Sequence, residues 1–231
     1  MLMNTEKHLV YLMIGDPFSP ISSVARDLTT HLPQQNNKRI AVIENADPSD
    51  LSSVSDSISF LLMKGSANPI DWLEGMQQAL FKSEVALGRI LFVADMLHLS
   101  KTPSLMSWAR ACIHFADVVL LNHLEGISQK WLQEFKEPFE KDCYPCLFIP
   151  VKNAQVLNPA LVLEPVPRRI SQAFDIEHQK EAQLLKRIAG SKSEWIHNPA
   201  EGDEWFDEAS EDPYFEKLSN GMRAKKIYAL P

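Results

Sequence analysis

The residues of this sequence that could hold a phosphate group stand in one short stretch, GDPFSPISS, between Gly15 and Ser23. The apolar run 8–14 (HLVYLMI) precedes this stretch, and a segment with helical spacing follows it. A strand, a glycine-led loop and a helix are the parts of a phosphate-binding loop, whose hydroxyls also reach Mg²⁺. Gly15, Ser19, Ser22 and Ser23 are therefore the candidate contacts, although the Gly-Lys-Ser/Thr run of such loops is absent.

Further polar residues follow three later apolar runs, at positions where strands of a parallel sheet would end. They are Asn45, Asp95, Asn122 and Glu125, which come after the runs 39–43, 89–94 and 118–121. Open α/β sheets bind ligands beside the carboxyl ends of their strands, so Asp95 and Asn122 are expected to face the same crevice as the loop from Gly15 to Ser23. An isolated acid such as Asp95 has a simpler alternative role, the N-cap of a helix.

The elements that must position these residues alternate along the chain. Five short runs have the continuous apolar character of strands that are buried on both faces of a parallel sheet. They are 8–14, 39–43, 89–94, 118–121 and 147–151, while 59–63 is either a further strand or a buried turn. Apolar stripes with helical spacing lie between them, at Val24 to Leu32, Trp72 to Leu80, and Trp131 to Phe139 with Ser128 as N-cap. This alternation predicts an α/β fold, an open and mostly parallel sheet with helices on both faces.

The sequence divides into three regions. Residues 1–167 carry the alternating elements and are expected to form the α/β domain. A polar segment with sparse apolar contacts predicts a C-terminal helix over 168–190. Residues 191–231 form an acidic tail in which aromatic residues recur: Trp205, Phe206, Tyr214 and Phe215. Disordered acidic segments are poor in such rings, so the tail is expected to dock through them, within the chain or on a partner.

Composition excludes several classes of function. The formal net charge of −7 and a pI near 5.5 leave no basic footprint for nucleic acid or an anionic membrane surface. No apolar run approaches the roughly 18 residues that span a bilayer. Three cysteines do not make a disulfide framework. These features predict a cytoplasmic protein without nucleic-acid or membrane partners.

The stretch GDPFSPISS, overlaid without a gap, resembles the loop Gly-x-x-Gly-x-Gly-Lys-Thr-Thr of the CobW-like P-loop GTPases, a family of metal-insertion and metallochaperone proteins. The matched positions are Gly15, Ser22 and Ser23. Phe18 and Pro20 replace the later glycines, and Ile21 replaces the lysine. Proline has no N–H for a phosphate, and isoleucine has no charge. The resemblance therefore implies a loop that has lost the groups used in hydrolysis.

Two further stretches carry the same resemblance. In KRIAVIENADPSD, Asn45 matches the asparagine of the family's Val-Asn-Glu-Phe-Gly turn. In FADVVLLNHLEGIS, Asn122 matches the guanine-reading Asn-Lys-x-Asp element, with His123 for its lysine and Glu125 for its aspartate. The longer carboxylate is expected to misplace the contact with guanine. The family's metal-binding cysteines are missing where the order of elements puts them, in MKGSANPIDWLEGM, so no metal site is predicted.

The resemblance implies two functions of different class. The lost residues favour a non-catalytic pseudo-GTPase that binds or regulates a protein partner, or assembles with copies of itself. The alternative is an active GTP or ATP hydrolase in which the missing lysine and glycine functions come from elsewhere in the chain or from a second subunit. Lys38, Lys64 and Lys101 are the candidate lysines within the chain. GTP or GDP with Mg²⁺ is the cofactor that the resemblance implies. The MinD and ParA-like ATPases also match the second strand loosely, and their lysines are missing here too.

The cysteines offer one other chemical interpretation. Cys143 and Cys146 form a C-x-x-C unit, a spacing used in redox and zinc sites. The unit precedes its strand, whereas redox motifs of the thioredoxin type follow one, and no second cysteine pair completes a zinc site. Structural thiols are therefore the favoured interpretation.

Overall fold

The computed structural model describes residues 8–32, 39–54, 58–175, 212–225 and 227. The strands of the described residues are β1 (Leu9–Gly15), β2 (Ile40–Ile43), β3 (Ile58–Leu62), β4 (Ala86–Asp95), β5 (Val118–Asn122), β6 (Leu147–Lys152) and β7 (Gln155–Val156). The helices are α1 (Ile21–Thr30), α2 (Pro69–Lys82), α3 (Met96–Lys101), α4 (Met106–Phe115), α5 (Gln129–Lys141) and α6 (Pro159–Leu163). Within these ranges, none of the helices combines the length and the apolar character that crossing a bilayer requires.

The strands form one sheet in the order β2-β3-β1-β4-β5-β6-β7. Neighbouring strands from β2 to β6 are parallel, and β7 runs antiparallel to β6 at the edge. The predicted α/β fold with an open, mostly parallel sheet is confirmed. Residues 59–62 of the undecided segment 59–63 belong to strand β3. The elements β7, α3, α4 and α6 have no counterpart among the predicted elements.

Helices cover both faces of the sheet, as predicted. On one face, Met13 of β1 packs with Val24 and Leu28 of α1 in a continuous apolar core. On the other face, the ring of Phe92 on β4 meets Trp108 of α4 edge-on, with 5.5 Å between the ring centroids. Because both faces are buried, the central strands have no solvent side for polar residues, which explains their continuous apolar runs.

Two of the longer helices begin at side-chain caps. The hydroxyl of Ser128 accepts a hydrogen bond from the Trp131 N–H at 3.2 Å, which confirms the N-cap predicted for α5. Asn68 caps α2 in the same way, because its side-chain oxygen accepts from the Ile70 N–H at 2.9 Å. These caps satisfy N–H groups that a helix leaves unpaired in its first turn.

The helix predicted over 168–190 does not begin at Arg168. Residues 168–175 contain no helix, and the remainder of that segment lies outside the described residues. The backbone N–H of Arg168 donates to Asp117 Oδ1 at 2.5 Å, and Arg169 Nη1 lies 3.2 Å from the same oxygen. These contacts with the residue that precedes β5 hold the start of the segment in an irregular path.

The chain divides into two compact units, one that includes the residues up to Ile170 and one between Ser171 and Lys225. The described residues of the second unit are 171–175 and 212–225. Within it, Arg223 Nη1 donates to the carbonyl oxygens of Tyr214 and Phe215, each at 3.2 Å. Both aromatic side chains of this pair are buried.

Candidate functional site

The loop between β1 and α1 is a tight strand-to-helix turn at the carboxyl end of the sheet. Gly15 is the last residue of β1 and pairs in register with Val93 of β4. A side-chain carbon at Gly15 would lie 3.2 Å from the Cβ of Ser19, so the turn leaves little room for one. The loop that was predicted between Gly15 and Ser23 therefore lies where a phosphate loop would lie.

The carboxylate of Asp16 closes this loop from inside. Asp16 keeps only 3% of its surface exposed. Its Oδ1 accepts a hydrogen bond from the Phe18 N–H at 2.8 Å, and its Oδ2 lies 3.0 Å from the Ser19 hydroxyl. The same hydroxyl lies 2.9 Å from the Val93 carbonyl oxygen, and its single proton can serve only one of these two acceptors. An anionic group of the chain thus occupies the position in which a phosphate loop presents its donors.

The backbone donors of the loop are consumed by the loop itself. Pro17 and Pro20 have no N–H, and the Phe18 N–H is bonded to Asp16. The Ser19 N–H donates to the Asp16 carbonyl oxygen at 3.1 Å, and the Ile21 N–H donates to the Ser19 carbonyl oxygen at 2.8 Å. Positions 17–21 therefore offer no free N–H to an anion, which leaves only the first-turn donors of Ser22 and Ser23.

A pocket of about 330 Å³ opens beside the loop, toward the ends of β2 and β3. Its polar lining consists of Asp16, Ser19, Ser22, Glu44, Asn45 and Ser66. Its remaining walls are formed by Pro17, Ile21, Leu62, Met63 and Gly65. Among the described residues, two carboxylates and no basic side chain line this pocket, so its electrostatic character is opposite to that of a phosphate site.

Gly65 allows the loop after β3 to pack closely against the loop between β1 and α1. A side-chain carbon at Gly65 would lie 2.9 Å from the Cα of Pro17, a distance that no real side chain tolerates against backbone. The close approach of these two backbones forms one wall of the pocket. Glycine is needed here for space, because residue 65 does not have a positive φ.

The pocket brings together only part of the predicted site. Ser19, Ser22 and Asn45 line it, and Gly15 shapes the turn beside it. Ser23 is an exposed residue of α1 and is not part of the lining. Glu125 is exposed in the loop after β5 and is also outside it.

Asp95 and Asn122 lie together on the other side of β1. They pair in register at the carboxyl ends of β4 and β5, which are the adjacent strand ends where the sequence predicted them. Neither lines the pocket. Asp95 is the N-cap of α3, with Oδ1 accepting from the His98 N–H at 2.9 Å, and its Oδ2 lies 2.9 Å from Nδ1 of His123. The Asn122 amide nitrogen is buried and has no hydrogen-bond partner among the described residues.

The lysines that were considered as substitutes do not line the pocket either. Lys64 and Lys101 are exposed and absent from the lining, and Lys38 lies outside the described residues. Among the residues that the structure describes, no lysine lines the pocket, and Arg26, which lies 2.9 Å from the Glu44 carboxylate of the lining, is engaged by that carboxylate. The donor set does not fit a nucleotide triphosphate with Mg²⁺.

The C-x-x-C residues have different surroundings. Cys143 is exposed, whereas Cys146 is buried and burial raises its pKa to about 12. A thiol with so high a pKa is a poor nucleophile and a poor metal ligand. In the described ranges all cysteines are free, and no group of three or more histidine, cysteine or acidic side chains is arranged to hold a metal.

Three features of the site were not predicted from the sequence. Asp16 was not assigned a role, although Asp-Pro-x-Ser is a typical signal for a turn that an aspartate closes on its own backbone. Glu44 and Ser66 come from the loops after β2 and β3, and only the folded chain brings those loops beside the first one. No local pattern in the sequence marks either residue.

No protein-family model and no curated relative matches the chain. Solved structures do match. The chain is similar to the Zn(II)-bound YjiA GTPase from E. coli, with 14% identity over 70% of this chain and 66% of that one and a TM-score of 0.41. It is similar to a Zn(II)-bound triple mutant of YjiA GTPase, with 14% identity over 80% of this chain and 79% of that one and a TM-score of 0.42. It is also similar to HypB from Helicobacter pylori in complex with nickel, with 12% identity over 84% of this chain and 92% of that one and a TM-score of 0.33.

The chain thus spans just under two thirds of the length of the first of these structures. Identities of 12% and 14% with partial overlap assign no ligand and no residue role to this chain. TM-scores of 0.41, 0.42 and 0.33 likewise carry no argument about the family of this chain.

Proposed function

We propose that the protein is a non-catalytic relative of the P-loop GTPases that acts by binding another protein. The observation that carries this proposal is the buried Asp16 carboxylate inside the loop, with the donors of positions 17–21 consumed or missing. A phosphate group brought to this loop would meet a carboxylate of the same charge sign and no backbone donor from those five positions.

The magnitudes favour exclusion of a phosphate. A helix N-terminus offers an anion the equivalent of about half a positive charge, worth roughly 0.3–1 kcal/mol. Two like unit charges about 4 Å apart repel by about 4 kcal/mol at an effective dielectric constant of 20. The repulsion from Asp16 is therefore larger than the attraction that α1 can supply. Hydrolysis would in addition need a cation on the transferred phosphate, and Ile21 stands where the family has lysine.

Exposure of the loop tip supports a role in protein binding. Phe18 leaves 63% of its surface exposed and rests edge-on against His98, with 4.5 Å between the ring centroids. Aromatic side chains that are presented in this way are enriched at the centres of protein interfaces. The loop thus offers an apolar contact at the place where an active GTPase would face its nucleotide.

Thermal unfolding with and without nucleotide tests the proposal. A ligand present at 100 times its dissociation constant would add about 2.7 kcal/mol to the free energy of unfolding. We expect no shift of the melting temperature with GTP, GDP or ATP in the presence of Mg²⁺, and no release of phosphate above a blank.

A gain-of-function variant supplies the positive control. Asp16→Gly combined with Pro20→Gly and Ile21→Lys removes the inner carboxylate and restores the glycine and the lysine of a phosphate loop. We expect the triple variant to gain a nucleotide-dependent thermal shift before any turnover. Steady phosphate release by the wild-type protein, lost on Ser22→Ala, would instead establish the atypical hydrolase and overturn the proposal.

A further inference from the structure

We propose that the pocket beside the loop binds the guanidinium side chain of an arginine that a protein partner inserts into it. This inference rests on the proposed function, because it names the chemistry by which the partner would be recognised. It concerns the pocket that Asp16 and Glu44 line at the ends of β1 and β2.

The first argument is a buried carboxylate that has hydrogen-bond donors but no ion pair. Asp16 is 97% removed from solvent and forms no ion pair with any described residue. A buried carboxylate is costly unless a cation or a full set of donors compensates it. Its two oxygens offer about four acceptor positions, and the chain supplies the Phe18 N–H and a hydroxyl that is shared with another acceptor. A cationic donor in the pocket would complete this set.

The second argument is the position of Glu44 at the opening. Its side chain is 43% exposed and lines the same pocket as Asp16. Its Oε1 lies 2.9 Å from Nη2 of Arg26, whose side chain is 71% exposed. Exposed pairs of this kind are worth about 0–1 kcal/mol, so a partner's cation can replace Arg26 at little cost. The pair with Arg26 also shows that the Glu44 carboxylate can accept a hydrogen bond from a guanidinium group.

The third argument is the shape and mixed lining of the pocket. Ile21, Leu62 and Met63 provide an apolar wall, along which the methylene stem of a long cationic side chain can lie. Asn45 and Ser66 add polar atoms near the carboxylates. A pocket of about 330 Å³ is at the small end of the range for ligand sites and suits one side chain rather than a nucleotide.

Arginine fits this lining better than other cations. Its planar guanidinium has five donors and pairs with carboxylates through two parallel hydrogen bonds, while an ammonium group is a point charge. Among the described residues, no group of three or more histidine, cysteine or acidic side chains is arranged to hold a metal ion. We therefore assign the pocket to a guanidinium group, which Asp16 binds inside the pocket and Glu44 binds at its opening.

Titration of the isotope-labelled full-length chain with Nα-acetyl-argininamide, followed by NMR, tests the inference. We expect the amide resonances of Gly15, Ser22 and Gly65 to shift in a saturable way. The neutral isostere Nα-acetyl-citrullinamide should leave them unchanged. Equal shifts with citrulline would overturn the inference, and equally tight binding of Nα-acetyl-lysinamide, Mg²⁺ or Zn²⁺ would overturn the assignment to arginine. Tighter binding of free L-arginine than of the amide would point to a small metabolite and overturn the protein partner.

Matched carboxylate variants separate binding from folding. Asp16→Asn keeps the size and one acceptor, and should weaken binding of the arginine probe by about tenfold or more, equivalent to about 1.4 kcal/mol. Its melting temperature should not fall, because the amide keeps an acceptor for the Phe18 N–H and removes a buried charge that has no ion pair among the described residues. Glu44→Gln should weaken binding less. Glu84 is an exposed residue outside the pocket, so the control variant Glu84→Gln makes the same change of charge and should leave binding of the probe unaltered.

The two proposals fail in different ways. If Asp16→Asn binds the probe as the wild type does, the arginine pocket is wrong, whatever the protein does with nucleotides. If GTP with Mg²⁺ raises the melting temperature of the wild type, the non-catalytic assignment is wrong, whatever the probe does. If the protein binds neither the arginine probe nor GTP, the arginine-pocket proposal is wrong and the non-catalytic assignment stands.

Discussion

The hydroxyl of Tyr11 lies inside the molecule, where it donates a hydrogen bond to the Leu163 carbonyl oxygen at 2.5 Å. Its ring stacks on Phe60, with 5.0 Å between the ring centroids. Burial raises the pKa of Tyr11 from its ordinary value of 10 to about 12. The folded chain therefore keeps this proton at pH values where the unfolded chain has already lost it.

We expect Tyr11→Phe to lower the free energy of unfolding by about 1–2 kcal/mol near neutral pH, because the buried Leu163 carbonyl loses its donor. The contribution of Tyr11 is fully present below pH 10 and is lost as the pH rises toward 12, since the folded state binds the proton more tightly. Between these values the wild type should lose up to about 1.4 kcal/mol per pH unit relative to the variant. Urea unfolding of both proteins across this pH range measures the difference between their free energies of unfolding. A difference that does not change with pH would contradict the raised pKa of Tyr11.

Asp16 shows which features of a single residue could be predicted from the sequence. The stretch Asp-Pro-Phe-Ser favours a turn that its own aspartate closes, and the structure contains that turn. The sequence also shows that Pro20 and Ile21 remove a donor and a cation. That the Asp16 carboxylate is buried depends on β4 and on the loop after β3, which are distant along the chain, so no local pattern predicts it.

At the scale of elements, α6 depends on side chains from the middle of the sheet. Helix α6 has five residues, too few for periodicity or propensity to hold it alone. Arg89 of β4 is fully buried, and its Nη1 donates to the Leu161 carbonyl oxygen at 2.7 Å. Its Nε donates to the Val166 carbonyl oxygen at 3.0 Å, and Glu164 lies 3.7 Å from Nη2. Burial lowers the pKa of Arg89, and the carboxylates of Asp117 and Glu164 oppose this effect.

We expect Arg89→Met to lower the free energy of unfolding by about 3 kcal/mol, because it removes the donors of the Leu161 and Val166 carbonyl groups and leaves Arg169 as the one arginine side chain paired with Asp117 among the described residues. Arg110→Met on the exposed side of α4 is the matched control and should change stability by less than about 0.5 kcal/mol. Urea unfolding at neutral pH compares the two. Equal effects would mean that Arg89 does not hold α6 in place.

The elements that the sequence predicted are those with strong local patterns. The five apolar runs became β1, β2, β4, β5 and β6 because strands that are buried on both faces admit few polar residues. The helix expected from Arg168 was wrong at its start. The contact of Arg168 and Arg169 with Asp117 joins positions about fifty residues apart, and local spacing does not show it.

At the scale of the whole molecule, the location of the pocket follows from the order of the strands. Because β1 lies between β3 and β4, its loop can face either β2 and β3 or β4 and β5. The sequence placed Asn45, Asp95 and Asn122 at strand ends, but it could not show on which side of β1 a cavity opens. Packing of Gly65 against Pro17 forms the cavity on the β3 side, which includes Asn45 and leaves Asp95 and Asn122 outside.

The tail is expected to dock through its aromatic residues, and this stays a prediction, since Trp205 and Phe206 lie outside the described residues. Within the second unit, Tyr214 and Phe215 are only 6% and 4% exposed, and Lys225 Nζ lies 4.1 Å from the centre of the Tyr214 ring. Phe174 of the same unit is also buried, so three aromatic rings contribute apolar burial among its described residues.

We expect the double variant Tyr214→Ala, Phe215→Ala to lower the melting temperature by about 5 °C or more, because loss of a buried ring costs roughly 3–5 kcal/mol and each kcal/mol corresponds to about 2–4 °C in a chain of this size. Leu218→Ala with Met222→Ala removes two half-exposed apolar side chains from the same unit and should leave the melting temperature within about 2 °C. If the aromatic variant is as stable as this control but elutes as a smaller species in size-exclusion chromatography, the rings dock on a second copy. If it changes neither property, the tail does not dock through these rings.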